Sequence, residues 1–413
     1  MKNIYVLITI SIVLFYSTLN AQWVTTNGPG TGAAIRCFAV NGTDVFAGSW
    51  GGSSGYSGGV YLSTNEGANW MPLNTGLTDT AVFAIVPKDT KLFTGTLGGG
   101  VFTSTNNGVN WIPANNGLTN ISVISFTVSG TNLFCGTYGG VFLSTNNGAN
   151  WIEVNNGLPI ATPFIVNSLT FIDNNLFAGT AGYGVFLSTD NGANWIEKNN
   201  GLTNTAVSTL AVSGSNIFAG TFSGVFVSTD NGTNWINTQG LAGVIVESLI
   251  TIGPNIFAGS SGGGVYLSTN NGSNWTSVGL GIPNTTIYAF AISGSKIFAG
   301  TLSGIVYKRE LSEIITSVES MSTDLPTNFS VSQNYPNPFN PSTTINFSVP
   351  SSEFITLKVF DVLGNETATL VNEEKPAGVY EVEFNALGLS SGIYFYKIQT
   401  SSFVETKKMI LLR

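Results

Sequence analysis

A short unit repeats seven times, and this limits what the chain can fold into more than anything else in it. The string F-A-G-T, with small changes, starts at Phe46, Phe93, Phe134, Phe177, Phe218, Phe257 and Phe298, at spacings of 39 to 47 residues. A second string close to V-F-L-S-T-N-N-G-A-N-W follows each copy but the last and ends on Trp70, Trp111, Trp151, Trp195, Trp235 and Trp275. Each unit holds four short apolar runs, in the fifth at 206–212, 216–220, 224–228 and 234–237, punctuated by Gly, Asn and Ser as turns require. Four strands at this period make one blade of a β-propeller, whereas a solenoid of strand–helix units would need helical runs that the sequence does not display. Composition agrees. Only 9% of residues are charged and 50 of 413 are glycine, a balance foreign to helical bundles. With 43% hydrophobic residues, disorder is excluded as well.

The ends of the repeat predict a closed ring. The seventh unit reaches Ile305-Val306-Tyr307 and lacks its tryptophan, while a spare one, Trp23, stands near the N-terminus, followed by Val24 and Asn27-Gly28. Trp23 is therefore expected to lead the outer strand of the seventh blade, which would hide two sheet edges. The fold expected for residues 22–310 is all-β, a seven-bladed propeller closed by an N-terminal strand.

The run from Ser188 to Trp195, S-T-D-N-G-A-N-W, resembles the Asp-box, or BNR repeat, with pattern S-x-D-x-G-x-x-W. Ser228 to Trp235 matches it as well. Four other copies carry Asn65, Asn106, Asn146 and Asn270 where these two carry Asp190 and Asp230. The resemblance implies a turn between third and fourth strands on the outer rim, with the amide or carboxylate bonding its own backbone and the tryptophan packing between blades. These positions are read as structural. Cys37 and Cys135 are read as small buried residues.

Residues 1–21 read as a secretory signal peptide: Lys2, an apolar run over 4–16, and a small residue at Ala21. The run is short for a membrane span, and no later segment resembles one. From 324 onward the text is new, after a linker at 311–323. It contains Y-P-N-P-F-N-P-S-T-T-I from Tyr335 to Ile345, then alternating runs around 356–360 and 393–398 that read as a small β-sandwich. Residues 324–413 resemble the type A C-terminal sorting domain of the type IX secretion system. That resemblance implies secretion or outer-membrane surface attachment, with the secretion machinery and its sortase as partners.

A ligand site is expected near the ring axis. Ten residues before each F-A-G-T phenylalanine lies the column Arg36, Phe83, Ile124, Asn167, Ser208, Glu247 and Tyr288. The next column is uniformly small (Cys37, Ala84, Ser125, Ser168, Thr209, Ser248, Ala289), and the one after uniformly large and apolar. Uniform columns suit packing between blades, and the mixed column suits a specificity ring. Loops between second and third strands add Trp50, Tyr56, Tyr138 and Tyr183, aromatics suited to sugar rings or peptide side chains. The candidate ligand residues are Arg36, Trp50, Tyr56, Tyr138, Asn167, Tyr183, Glu247 and Tyr288.

The chain has no histidine, which removes His-based catalysis and His-ligated metal sites, and no metal or cofactor is expected. The net charge of −8 without a basic run argues against nucleic acid. Among proteins with Asp-box propellers, sialidases need three arginines, and the repeat region has two, Arg36 and Arg309. Xyloglucan endoglucanases use two propellers and two carboxylates. Here Glu247 falls in the mixed column and Asp79 in a loop between blades. The remaining class, similar to photosystem stability factor-like and sortilin-like propellers, binds partners without catalysis. The expectation is an exported monomer that binds a glycan or protein, with a glycoside hydrolase or an architectural coat protein as alternatives.

Overall fold

The computed structural model describes residues 22–30, 32–51, 58–159, 163–238, 240–315, 328–375 and 378–412. The signal-peptide segment 1–21 and Tyr56 lie outside them. The chain divides into two compact units, Met1–Val318 and Glu319–Arg413.

In the first unit the repeats fold into seven four-stranded antiparallel sheets among the described residues, six of them in simple sequence order. All-β repeated sheets of this kind are the arrangement of a β-propeller. The fifth sheet is Val207–Ser213, Asn216–Thr221, Gly224–Ser228 and Ile236–Asn237. Its two middle strands are almost wholly buried, because both of their faces meet a neighbouring sheet. The outer strand is only two residues long and starts after Trp235. The turn engages the backbone first: Asn234 N donates to Asp230 and Trp235 N to Asn200 O, so ladder pairing begins at Ile236.

The glycine of F-A-G-T is required by the next sheet. A Cβ at Gly179 would lie 2.7 Å from Val207 of the following sheet. The same contact joins the last sheet to the first, where a Cβ at Gly300 would lie 2.5 Å from Ile35. The N-terminal strand Val24–Thr25 pairs with Val306–Glu310 and completes that last sheet.

Tryptophan hydrogen bonds run from sheet to sheet in the same order. Nε1 of Trp111, Trp151, Trp195 and Trp235 donates to a carbonyl of the preceding sheet's outer edge, at Leu73, Ala114, Val154 and Lys198, each at 2.8 Å. Trp275 and Trp70 donate to the hydroxyls of Thr238 and Thr26. Trp23 donates to Val278 O at 2.8 Å. Trp23 thus stands to the sixth sheet as each other tryptophan stands to the sheet before it.

The first residues of the expected linker at 311–323 are described and the rest, 316–323, lie outside the described residues. Residues 311–315 are helical, with Leu311 and Ile314 buried beside Trp23, so burial of two apolar side chains ties this turn to the first unit. In the second unit Ser330–Val331, Ser342–Val349 and Gly378–Asn385 form one antiparallel sheet. Glu366–Lys375, Glu353–Phe360, Gly392–Gln399 and Val404–Leu411 form another. The two share one core that includes Phe347, Ile355, Leu357, Tyr396 and Met409.

Candidate functional site

The first strand of every sheet carries a β-bulge, and the bulge falls on the mixed column. Pairing skips one residue in each sheet: Arg36, Phe83, Ile124, Asn167, Ser208, Glu247 and Tyr288. A bulged residue leaves the ladder and its side chain is re-aimed, which is why bulges recur beside binding sites. All seven side chains line one cavity of about 650 Å³. The flanking columns stay in the ladder and join sheets. Ser125 Oγ donates to Val166 O at 3.0 Å, Ser248 Oγ donates to Ile287 O at 2.9 Å, and Ser168 Oγ accepts Leu210 N at 3.0 Å.

Arg36 sits between two rings supplied by the neighbouring first strands. Its guanidinium carbon lies 4.0 Å from the centre of Tyr288 and 4.7 Å from that of Phe83, a double cation–π contact. Trp50 packs on Phe83, ring centres 5.5 Å apart. Glu247 is half-buried. Burial pushes its carboxyl above the ordinary value, and the Arg36 charge pulls it only part of the way back. Asn167 commits its amide to Val207 O at 2.8 Å. Among the loop aromatics Tyr138 and Phe222 line the cavity. Tyr183 rests instead on Phe164, ring centres 5.2 Å apart, because the buried Phe164 offers it an apolar seat. Trp50 reaches the site through Phe83.

Asp79, the other carboxylate considered, holds a turn: it accepts Ala81 N at 3.0 Å and Gly98 N at 2.6 Å. Asn120 and Asn204 accept Ser122 N and Ala206 N in the same way. The turns that carry Asp190 and Asn106 are closed by their own hydrogen bonds. Asp190 Oδ1 accepts Ser188 Oγ and Asn194 N, each at 2.8 Å, and Asn106 Oδ1 accepts Ser104 Oγ and Asn110 N, each at 2.9 Å. Bonds from Asn194, side chain first, hold the Asp190 carboxyl below its usual range. Cys37 and Cys135 are free thiols, and burial pushes Cys37 up to about 12. Among the described residues no group of three or more Cys, Asp or Glu could hold a metal ion, and no helix is long and apolar enough to cross a membrane.

Sequence reasoning found the mixed column but missed the bulge and the ring-on-ring seating of Arg36 on Phe83. A signal was present: a single variable residue stands between a β-branched column (Ile35, Val82, Val123, Val166, Val207, Val246, Ile287) and a small one.

Residues 333–412 match the family model described as the secretion system C-terminal sorting domain. This sorting signal gives the chain a secreted or outer-membrane surface location and implies contact with the type IX secretion machinery. No curated protein matches the chain. Solved structures similar to it include PorZ, an essential surface component of the type IX system of Porphyromonas gingivalis, at 16% identity and TM-score 0.56. That match covers 94% of this chain, which spans 61% of the PorZ structure. YCF48 bound to D1 peptide matches at 14% identity and TM-score 0.58, over 70% of this chain and 96% of YCF48. A xyloglucanase from Xanthomonas campestris matches at 14% identity and TM-score 0.52, over 79% and 59% of the two chains. At these identities the likeness is one of fold.

Proposed function

We propose that residues 22–310 form a closed seven-bladed Asp-box propeller that binds a glycan or protein ligand at its central cavity without catalysis. On this reading residues 1–21 direct export to the periplasm and are removed there. The domain at 324–413 is then recognised by the type IX machinery and cleaved by its sortase. The observation that carries the reading is the convergence of seven unpaired, chemically different bulge residues on one cavity. Sheets under the same packing rules need no such variety for stability. A protein ligand finds support in YCF48, whose structure carries a D1 peptide on a similar fold. Hydrolysis by a carboxylate pair would need a partner for Glu247, and Asp79 already serves a turn.

The test is a glycan and polysaccharide array probed with the full chain. Selective binding that is altered in Glu247→Ala and weakened in Trp50→Ala supports the cavity as the site. A blank array from folded protein, followed by no protein partner that depends on these residues, favours an architectural role. Product released from any bound glycan, and abolished in Glu247→Gln, would replace binding by hydrolysis.

A further inference from the structure

Among the described residues Arg36 is the one cation lining the cavity, and the way it is held leaves a specific part of it free. Three adjacent first strands bulge at the same position and stack Tyr288, Arg36 and Phe83 in order. Two rings lie within cation–π distance of the guanidinium, a contact that leaves the N–H donors along its edge for a polar partner. Among the described residues no protein group bonds or pairs with that edge.

Glu247 does not fill this role. It stands on a strand two sheets away around the cavity, and its carboxyl is held above the ordinary value by burial, where a close ion pair would hold it below. The guanidinium fork matches a carboxylate in plane and spacing. The remaining lining includes the aromatic rings of Tyr138 and Phe222 and a neutral hydroxyl at Ser208, which suits a pyranose ring. One cation also fits one carboxylate better than a run of them.

We propose that Arg36 reads the carboxylate of a uronate residue in a glycan held in the central cavity. This rests on the cavity-binding reading above and adds the ligand's charge. A further consequence involves Glu247, the one carboxylate beside Cys37, Tyr138 and Tyr288 among the cavity's other ionisable groups. Its protonation removes a like charge from beside the ligand, so binding tightens as the pH falls toward its raised value while the uronate stays ionised.

The experiment is calorimetric titration of the full chain with cellobiouronic acid, its neutral methyl ester, and a capped Gly-Glu-Gly peptide. The acid is expected to bind at least about tenfold more tightly than the ester, the scale of one charged hydrogen-bonded pair. Arg36→Met should bring the acid down to the ester, Arg36→Lys should recover part of the difference, and Glu247→Gln should tighten the acid and flatten its pH dependence. Intrinsic tryptophan fluorescence checks that each variant is folded. Equal binding of acid and ester, or a preference that survives Arg36→Met, overturns the uronate assignment but leaves the cavity as a binding site. Peptide binding that depends on Arg36, with no sugar bound, overturns the sugar. A failure of every probe together with a blank array removes both readings.

Discussion

Replacing Gly300 by alanine tests whether the seventh sheet packs on the first. A Cβ there would lie 2.5 Å from Ile35 Cγ2, 2.8 Å from Ile35 Cβ and 2.9 Å from the Phe38 ring. Ile35 is fully buried, so it cannot swing into solvent. Overpacking of this kind costs about 1–3 kcal/mol. Gly179→Ala, which meets Val207 at 2.7 Å between the fourth and fifth sheets, should cost a similar amount. Ile35→Ala alone should cost about 2–5 kcal/mol through its cavity. The double variant Gly300→Ala with Ile35→Ala should cost less than the two singles together, because the new methyl occupies part of the space vacated. Urea unfolding followed by tryptophan fluorescence is the assay. All eight tryptophans lie in the first unit, so the signal reports that unit and not the sorting domain. A neutral Gly300→Ala beside a destabilising Gly179→Ala, or strict additivity in the double variant, would refute the packing of last sheet on first.

Three further outcomes follow from the same geometry. Trp195→Phe leaves the Val154 carbonyl without its donor and should cost about 1–3 kcal/mol in the same assay. Trp275→Phe should cost less, since Thr238 keeps its own bond to Val225. At pH 7 Asp190→Asn should unfold close to the wild type, because Asn106 makes the same two Oδ1 bonds to its turn and only the exposed bond from Asn194 Nδ2 is lost, whereas Asp190→Ala should be weaker; equal losses would sink this reading of the box. The Asp190 carboxyl is depressed in the folded state, so its contribution is present above the ordinary carboxylate range and lost as pH falls through it; acid unfolding should show a smaller loss in Asp190→Asn. Finally, Cys135 is buried and burial raises its thiol, so it should not react with a disulfide reagent at pH 8 until urea is added, whereas Cys37 is only partly buried. Prompt labelling of Cys135 in the native chain would contradict that burial.

How far the sequence could be read depended on what each column of the repeat has to satisfy. The F-A-G-T glycine and the small column meet the next sheet at close range, so they recur in every unit and can be read by eye. The box turns repeat for the same reason: Ser104, Asn106 and Gly108 close one hydrogen-bonded loop that every copy must close. The outer strands were read too long, since the reading took the tryptophan as a strand residue while its backbone amide serves the neighbouring sheet. The seat of Arg36 was not legible, because it is made by side chains from three repeats that touch only once the sheets stand side by side. Tyr183 illustrates the converse. Its loop matched that of Tyr138, but Phe164, from the preceding connection, drew its ring aside.

The bulge explains why variety could accumulate at one position without loosening the fold. A residue in the ladder contributes two backbone bonds and a side chain wedged between sheets, so its size is constrained from both sides. The skipped residue contributes neither, and its neighbours Ile35 and Cys37 carry the pairing past it. Arginine, glutamate, tyrosine and isoleucine can therefore occupy equivalent positions in sheets that are otherwise nearly interchangeable. Adjacent sheets then place their bulge residues side by side, which lets two aromatics orient a cation that neither could fix alone. Moving the arginine should carry its consequence with it. Exchanging Arg36 and Ser208 puts the cation between Asn167 and Glu247, bulge residues that offer no rings. The stack is lost and Glu247 gains a partner. Its carboxyl should fall from its raised value, as a side-chain carbon-13 titration would read. A carboxyl that stayed raised would mean that neighbouring bulge residues do not sense one another across the cavity.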